Sequence, residues 1–155
     1  MNQPFHSHSA PGSKVVRRAR QGDCSEIADL AGQLGYQCTP EEVAERLKDM
    51  QDLNQYGVFV VELPEGQIAG WVGAYLFRSV ETGSWAEING LVVDHRIRCR
   101  GLGKALLHAA EMWARSVGCQ TISVRSNITR DRAHRFYEDN GYAHVKTQKE
   151  FHKGL

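Results

Sequence analysis

The chain has 155 residues and a formal net charge of +1. That is enough length for one domain with a real core, and the charge is too balanced for a wholesale nucleic-acid binder, which carries a basic excess. No apolar run approaches the length of a membrane span, and the N-terminus carries no apolar signal region. Four cysteines, Cys24, Cys38, Cys99 and Cys119, lack C-x-x-C spacing, and the seven histidines lack paired ligand spacing. A reduced, cytoplasmic protein without a metal is the expectation.

Met1 to Ser13 is rich in Ser, His, Pro and Gly and reads as a disordered tail, leaving residues 14–155 as a single domain. Lys14 to Ala19, with Val15-Val16, reads as a first strand. Asp23-Cys24-Ser25-Glu26 reads as a capping box that opens a helix ending near Gly35. Thr39-Pro40-Glu41-Glu42 opens a second helix with a cap, a Pro at the first position and Glu three residues on. Gly57–Leu63 and Gln67–Arg78 read as a hairpin turning at Pro64-Glu65-Gly66. Asp49, Asp52 and Glu62 are available for an acidic pocket in this region, or for an ordinary solvated surface.

The next stretch, AEINGLVVDHRIRCRGLGKALL from Ala86 to Leu107, organises the rest. Alternation with β-branched residues through Val93 predicts a strand, on which Glu87, Asn89, Leu91 and Val93 share a face. A basic glycine turn follows. Leu102, Leu106, Ala109, Ala110, Trp113 and Val117 then recur at helical spacing. A helix start leaves about four backbone N–H groups unpaired, with roughly half a positive charge. Gly101 and Gly103 let an anion approach them, and Arg96, Arg98, Arg100 and Lys104 add charge suited to phosphate. The turn is not a Walker loop, because Gly103-Lys104 is followed by Ala105. Nor is it a dinucleotide fingerprint, because Leu106 stands where the third Gly belongs.

Gln120 to Ser126 alternates as a further strand, and Asn127 to Arg130 is a loop. Asp131 to Asn140 reads as a short helix stopped by Asn140-Gly141. Tyr142–Lys146 and Gln148–Lys153 read as a closing pair of strands. The fold class is therefore α/β (α+β mixed): a central mixed, mostly antiparallel sheet flanked by helices, in the order β-αα-βββ-α-β-α-ββ.

Arg98-Cys99-Arg100-Gly101-Leu102-Gly103 resembles the R/Q-x-x-G-x-G/A signature of the GCN5-related N-acetyltransferases. Ala133-His134-Arg135-Phe136-Tyr137-Glu138-x-x-Gly141-Tyr142 resembles the A-x-x-F/L-Y-x-x-x-G-F/Y run near the end of those enzymes. Cys99 departs from the many members with an extra Gly there. The resemblance implies that Arg98, Cys99, Arg100, Gly101, Leu102, Gly103 and Lys104 hold the pyrophosphate of acetyl-CoA. It implies that the main chain of Leu91, Val92 and Val93 holds the pantetheine and the thioester carbonyl. It implies that Tyr137 protonates the departing thiolate, for which a phenol suits because it keeps its proton at neutral pH. Many members carry an Asn where this chain has Arg130, and Asn127 is the substitute contact to the pantetheine arm. A homodimer is also implied.

Glu87 precedes Gly101 by fourteen residues, the offset of the general base in the histone acetyltransferases of that superfamily. The alternatives are a strand Glu paired with Arg and one binding a cationic substrate. Glu81 is a weaker candidate base. The expected reaction is acetyl transfer from acetyl-CoA to the primary amine of a small molecule, by direct attack, an aminoglycoside-like compound or other polyamine being one class. A protein lysine or N-terminus is the alternative acceptor, and a non-catalytic CoA sensor the alternative class. No nucleic-acid, membrane or metal partner is expected.

Overall fold

The computed structural model describes residues 13–97 and 100–155. All of the expected tail but Ser13 lies outside them, as do Arg98 and Cys99. Two compact units divide after Val124. The larger holds β1 (Val15–Arg18), α1 (Cys24–Gln33), α2 (Pro40–Asp49), β2 (Tyr56–Glu62), β3 (Ile68–Ser79), β4 (Gly83–Val93), α3 (Leu102–Ser116) and β5 (Ile122–Val124). Its sheet runs β1-β2-β3-β4-β5 in sequence order. The first three pairings are antiparallel and the β4–β5 pairing is parallel. A parallel pair needs a crossover, and α3 supplies it.

Local signals explain the helices. Thr39 Oγ1 accepts from Glu42 N while Glu42 Oε2 accepts from Thr39 N, so the predicted box caps α2. The box expected at Asp23 does not form. Asp23 makes no side-chain cap on α1. Its carboxylate instead accepts both terminal nitrogens of Arg17 at 2.8 Å and the Arg20 N–H at 2.7 Å. A short 3-10 turn at Gln21–Asp23 thus joins β1 to α1, and a charged fork wins over the simple cap because it is the stronger bond.

The helices lie on opposite faces of the sheet, since directly paired residues share a face. On one, Cys24, Ile27, Ala28, Leu30 and Val43 of α1 and α2 pack with Val60, Ile68, Val92 and the partly buried Trp71. On the other, α3 closes over glycines. A Cβ at Gly57 would stand 2.6 Å from the Trp113 ring, and one at Gly70 would meet Val92 O at 2.5 Å and Leu106 Cδ1 at 3.1 Å. Those glycines let α3 sit tight on β2 and β3.

Alternation fails in β4. Gly73 pairs with Gly90, but the next residue, Ala74, pairs with Ile88. Asn89 is the extra residue of a β-bulge. The expectation that Glu87, Asn89, Leu91 and Val93 share a face is therefore corrected. Pairing places Glu87 with Tyr75, Gly73, Gly90, Trp71 and Val92 on the α1–α2 face, while Leu91 and Val93 join Ala86 and Ile88 on the α3 face.

The smaller unit, Arg125–Leu155, holds α4 (Asp131–Asp139). It stops as predicted: Gly141 turns to φ +88° and donates to Glu138 O, while Tyr142 N donates to Tyr137 O. The closing strands expected at Tyr142–Lys146 and Gln148–Lys153 are not formed, and residues 143–155 have no regular structure. Val145 and Phe151 are exposed. Each segment has few strong apolar residues for one face, and a lone hairpin so poor in burial does not offset the cost of ordering its chain.

Candidate active site

The glycine turn forms as a helix start. Gly101 is the N-cap of α3 in a left-handed conformation, φ 68° and ψ 16°. That conformation favours glycine. The helical ladder begins where Ala105 N donates to Gly101 O at 3.1 Å. The N–H groups of Leu102, Gly103 and Lys104 precede it and have no helical partner. No acidic residue stands in that first turn, and Arg100 and Lys104 are exposed beside it. Amides without a helical partner, a missing Cβ and two exposed cations suit an anion such as a phosphate. Arg98 and Cys99 lie outside the described residues.

Two features of this turn escape sequence reasoning. Lys14, from just before β1, donates to Arg100 O at 3.0 Å and stands 3.4 Å from the place of a Cβ on Gly101. No local pattern announces so distant a partner. Arg96, expected to serve the phosphate, is instead committed to Asp94. Its Nε donates to Oδ1 at 3.0 Å and its Nη2 to Oδ2 at 2.6 Å. Asp94 is only 2 % exposed. The Arg96 guanidinium holds its carboxyl well below the usual range against the opposing effect of burial, with help from the Arg96 N–H. Gln33 of α1 completes a clasp, accepting from His95 N at 3.0 Å and donating to Asp94 Oδ1 at 3.5 Å. The loop after β4 is thereby tied to α1.

Along β4 the two edges differ. The β3 ladder runs from Gly83 to Val93, whereas the β5 ladder covers only Ala86, Glu87 and Ile88. Leu91, Val92 and Val93, the residues expected to hold the pantetheine through their main chain, lie beyond that ladder's end. Val92 is buried, and Leu91 and Val93 are partly so, as befits residues whose side chains serve the core.

Glu87 is 6 % exposed. Tyr75 Oη donates to its Oε1 at 3.0 Å. Phe77 and Trp85 stack beside this pair at 4.3 Å on the same face. On its other side the Asn89 carboxamide folds over Gly73 and the Trp71 ring lies against Gly90, each 2.6 Å from the place of a Cβ. Trp71 Nε1 is buried without an acceptor among the described residues. Glu81, the weaker candidate, is exposed in the β3–β4 turn.

In the smaller unit Tyr137 is half-buried between aromatic neighbours, edge-on to Phe136 at 5.3 Å and tilted to Tyr142 at 5.7 Å. Burial pushes its phenol pKa up, against the lowering effect of the Arg130 charge. Asn127 Oδ1 accepts from Thr129 N and Oγ1 at 3.1 and 2.9 Å, so a turn engages that oxygen. His108 is exposed beside Glu111, and His95 is exposed beside Asp94.

The acidic pocket available to Asp49, Asp52 and Glu62 is not built. Glu62 accepts from Arg17 Nε at 2.6 Å, and Asp52 Oδ1 accepts from Asn54 N within a turn. A cavity of about 360 Å³ beside the end of β1 is lined by residues that include Arg18, Arg20, Gln21 and Met50, with no carboxylate among them. Among the described residues, no group of His, Cys, Asp or Glu is placed to hold a metal ion, and no helix is long and apolar enough to cross a membrane.

A five-stranded mixed sheet whose fourth strand leads through a glycine turn into a helix on one face defines an acetyltransferase architecture. The chain belongs to the acetyltransferase (GNAT) family, whose model matches residues 15–142, and it is an N-acetyltransferase. It is similar to an uncharacterized N-acetyltransferase of Bacillus subtilis, 30 % identical over 115 residues that span 74 % of this chain and 80 % of that one. It is similar to the aminoalkylphosphonate N-acetyltransferase of Salmonella typhimurium, 32 % identical over 114 residues, 73 % of this chain and 71 % of that one. Its fold matches an aminoglycoside N-acetyltransferase solved in complex with CoA, with a TM-score of 0.82 and 15 % identity over 93 % of this chain and 97 % of that one. Enzymes of this family use acetyl-CoA.

Proposed function

We propose that this enzyme transfers the acetyl group of acetyl-CoA to the primary amine of a small molecule, by direct attack and with no metal. The observation that carries this reading is β4, which ends its β5 ladder at Ile88 and then leads into the glycine start of α3. In this reading the residues from Arg98 to Lys104, Cys99 included, receive the pyrophosphate. The main chain of Leu91, Val92 and Val93 receives the pantetheine and thioester carbonyl, and Asn127 contacts the pantetheine arm through its amide. Glu87 takes the proton that the acceptor nitrogen loses as its bond to the carbonyl carbon forms. Tyr137 gives a proton to the sulfur as the carbon–sulfur bond breaks. A phenol keeps its proton at neutral pH, and burial pushes that of Tyr137 further up. Residues 14–155 act as one catalytic domain, in the cytoplasm, where free thiols such as Cys24, Cys38 and Cys119 persist. A homodimer follows from the resemblance alone.

The named acceptor of the Salmonella relative carries a phosphonate, which supports an amine bearing an acidic group as one acceptor class beside the polyamines.

Calorimetry with acetyl-CoA, followed in the same sample by release of free thiol on adding amines, tests the reading. We expect micromolar binding and amine-dependent release, with Tyr137→Phe, at a residue that also contacts the cofactor in this reading, lowering turnover by about 100-fold and acetyl-CoA affinity by less. Absence of binding would sink the assignment of the glycine turn. Binding with no release on any small amine would point to a protein acceptor or a sensor.

A further inference from the structure

We infer that Tyr75 is a positioning residue for Glu87, and that the Asn89 bulge allows the pair to form. The inference rests on the reading of Glu87 as the base. Glu87 has a single carboxylate on a short stem, and a base must present one oxygen within hydrogen-bond reach of the proton it takes. Burial at 6 % exposure removes the water that would otherwise hold that group in many orientations. The Tyr75 hydroxyl, donating at 3.0 Å to Oε1, fixes one oxygen and thereby the direction of the other.

The pairing is a consequence of register. Counted in strict alternation from Gly73↔Gly90, Ala74 would face Asn89 and Tyr75 would face Ile88, a side chain with nothing to accept a hydrogen bond. The bulge takes Asn89 out of the count, so Tyr75 stands opposite Glu87. Directly opposed residues on one face bring their Cβ atoms about 5 Å apart, a span that a phenol and a carboxylate bridge. Tyr56, paired to Tyr75 on the same face, and the Phe77–Trp85 stack limit where the Tyr75 ring can go. Tyr75 stands in β3, outside both family-like motifs, and acts through Glu87 without touching the reacting atoms.

A double-mutant cycle in the full-length enzyme, with acetyl-CoA and a reactive amine, tests this. Glu87→Gln should lower kcat by about 100-fold or more. Tyr75→Phe should lower kcat by about tenfold, the value of one hydrogen bond to a charged group. It should leave the KM for acetyl-CoA near wild type. The decisive comparison is Tyr75→Phe on the Glu87→Gln background, where no further loss is expected because the charged acceptor is gone. Losses that multiply would overturn the inference, as would a Tyr75→Phe defect matched by equal weakening of acetyl-CoA binding. Full activity in Tyr75→Phe beside a crippled Glu87→Gln would remove the positioning role alone. Full activity in Glu87→Gln would remove the base, and the role of Tyr75 with it.

Discussion

The two halves of β4 obey different rules. From Ala86 to Ile88 the strand is bonded on both edges, and its residues are buried. From Gly90 to Val93 it keeps the β3 ladder and has passed the end of the β5 ladder. The bulged Asn89 divides them. The first half holds a carboxylate in place by cross-strand contact. The second lies beyond the end of the β5 ladder and leads into the start of α3. One strand can do both because a single extra residue bends it and increases its twist at the boundary.

That contrast can be broken directly. Deleting Asn89 removes the extra residue while leaving Glu87 opposite Tyr75 and Gly90 opposite Gly73. The expected result is a folded protein, melting within a few degrees of wild type, whose turnover falls by about 100-fold, because a shift of roughly 1 Å at a reacting centre costs that much. Thermal melts beside steady-state kinetics check it, and wild-type turnover would show that the bulge is dispensable.

A second change loosens the loop between β4 and α3. Asp94→Asn removes the charge and one of the two acceptor oxygens of the Arg96 fork and should lower stability by about 2 kcal/mol and raise the KM for acetyl-CoA. Its pH signature has a definite sign. The carboxyls of Asp94 and Asp23 both sit below their usual values in the folded state. Their contribution is complete above the unfolded value, about pH 4, and is lost as the pH falls through the folded values. The melting temperature of the wild type should decline with acid below that point, and that of Asp94→Asn should decline less steeply. Parallel curves would remove Asp94 from the account.

The smallest effect is a control. Thr39→Ala strips the cap of α2, far along the chain from β4. A loss of about 1 kcal/mol, a drop of about 3 °C and unchanged kcat are expected in a thermal melt and a rate assay. A fall in kcat would mean that α2 bears on the chemistry more directly than its cap suggests.

Much of the architecture is readable where one local pattern dominates. Leu102, Leu106, Ala110 and Trp113 mark the buried side of α3, and Thr39 to Glu42 marks the start of α2. Reading fails where a distant partner decides. Asp23 looks like a cap until Arg17 reaches it, and Arg96 looks free until Asp94 claims it. The bulge at Asn89 is invisible to alternation, because the pattern of β4 alone does not say which residue its neighbour skips. The closing strands fail for another reason: what they could bury is too small. At the site, motif positions such as Gly101 and Tyr137 are legible from resemblance, whereas Tyr75 and Lys14 bear on it only through pairings across the fold.

The parallel ladder between β4 and β5 also has a kinetic meaning. The β2–β3–β4 meander joins neighbours through short turns, so its contacts are local and quick to close. Ile122 to Val124 cannot register against Ala86 to Ile88 until the chain has wound through all of α3 and returned. Such non-local closure is slow. The strand that marks the end of the two-edged part of β4 therefore assembles after the β2–β3–β4 meander, and its three amides should exchange their hydrogens with solvent before those of the meander.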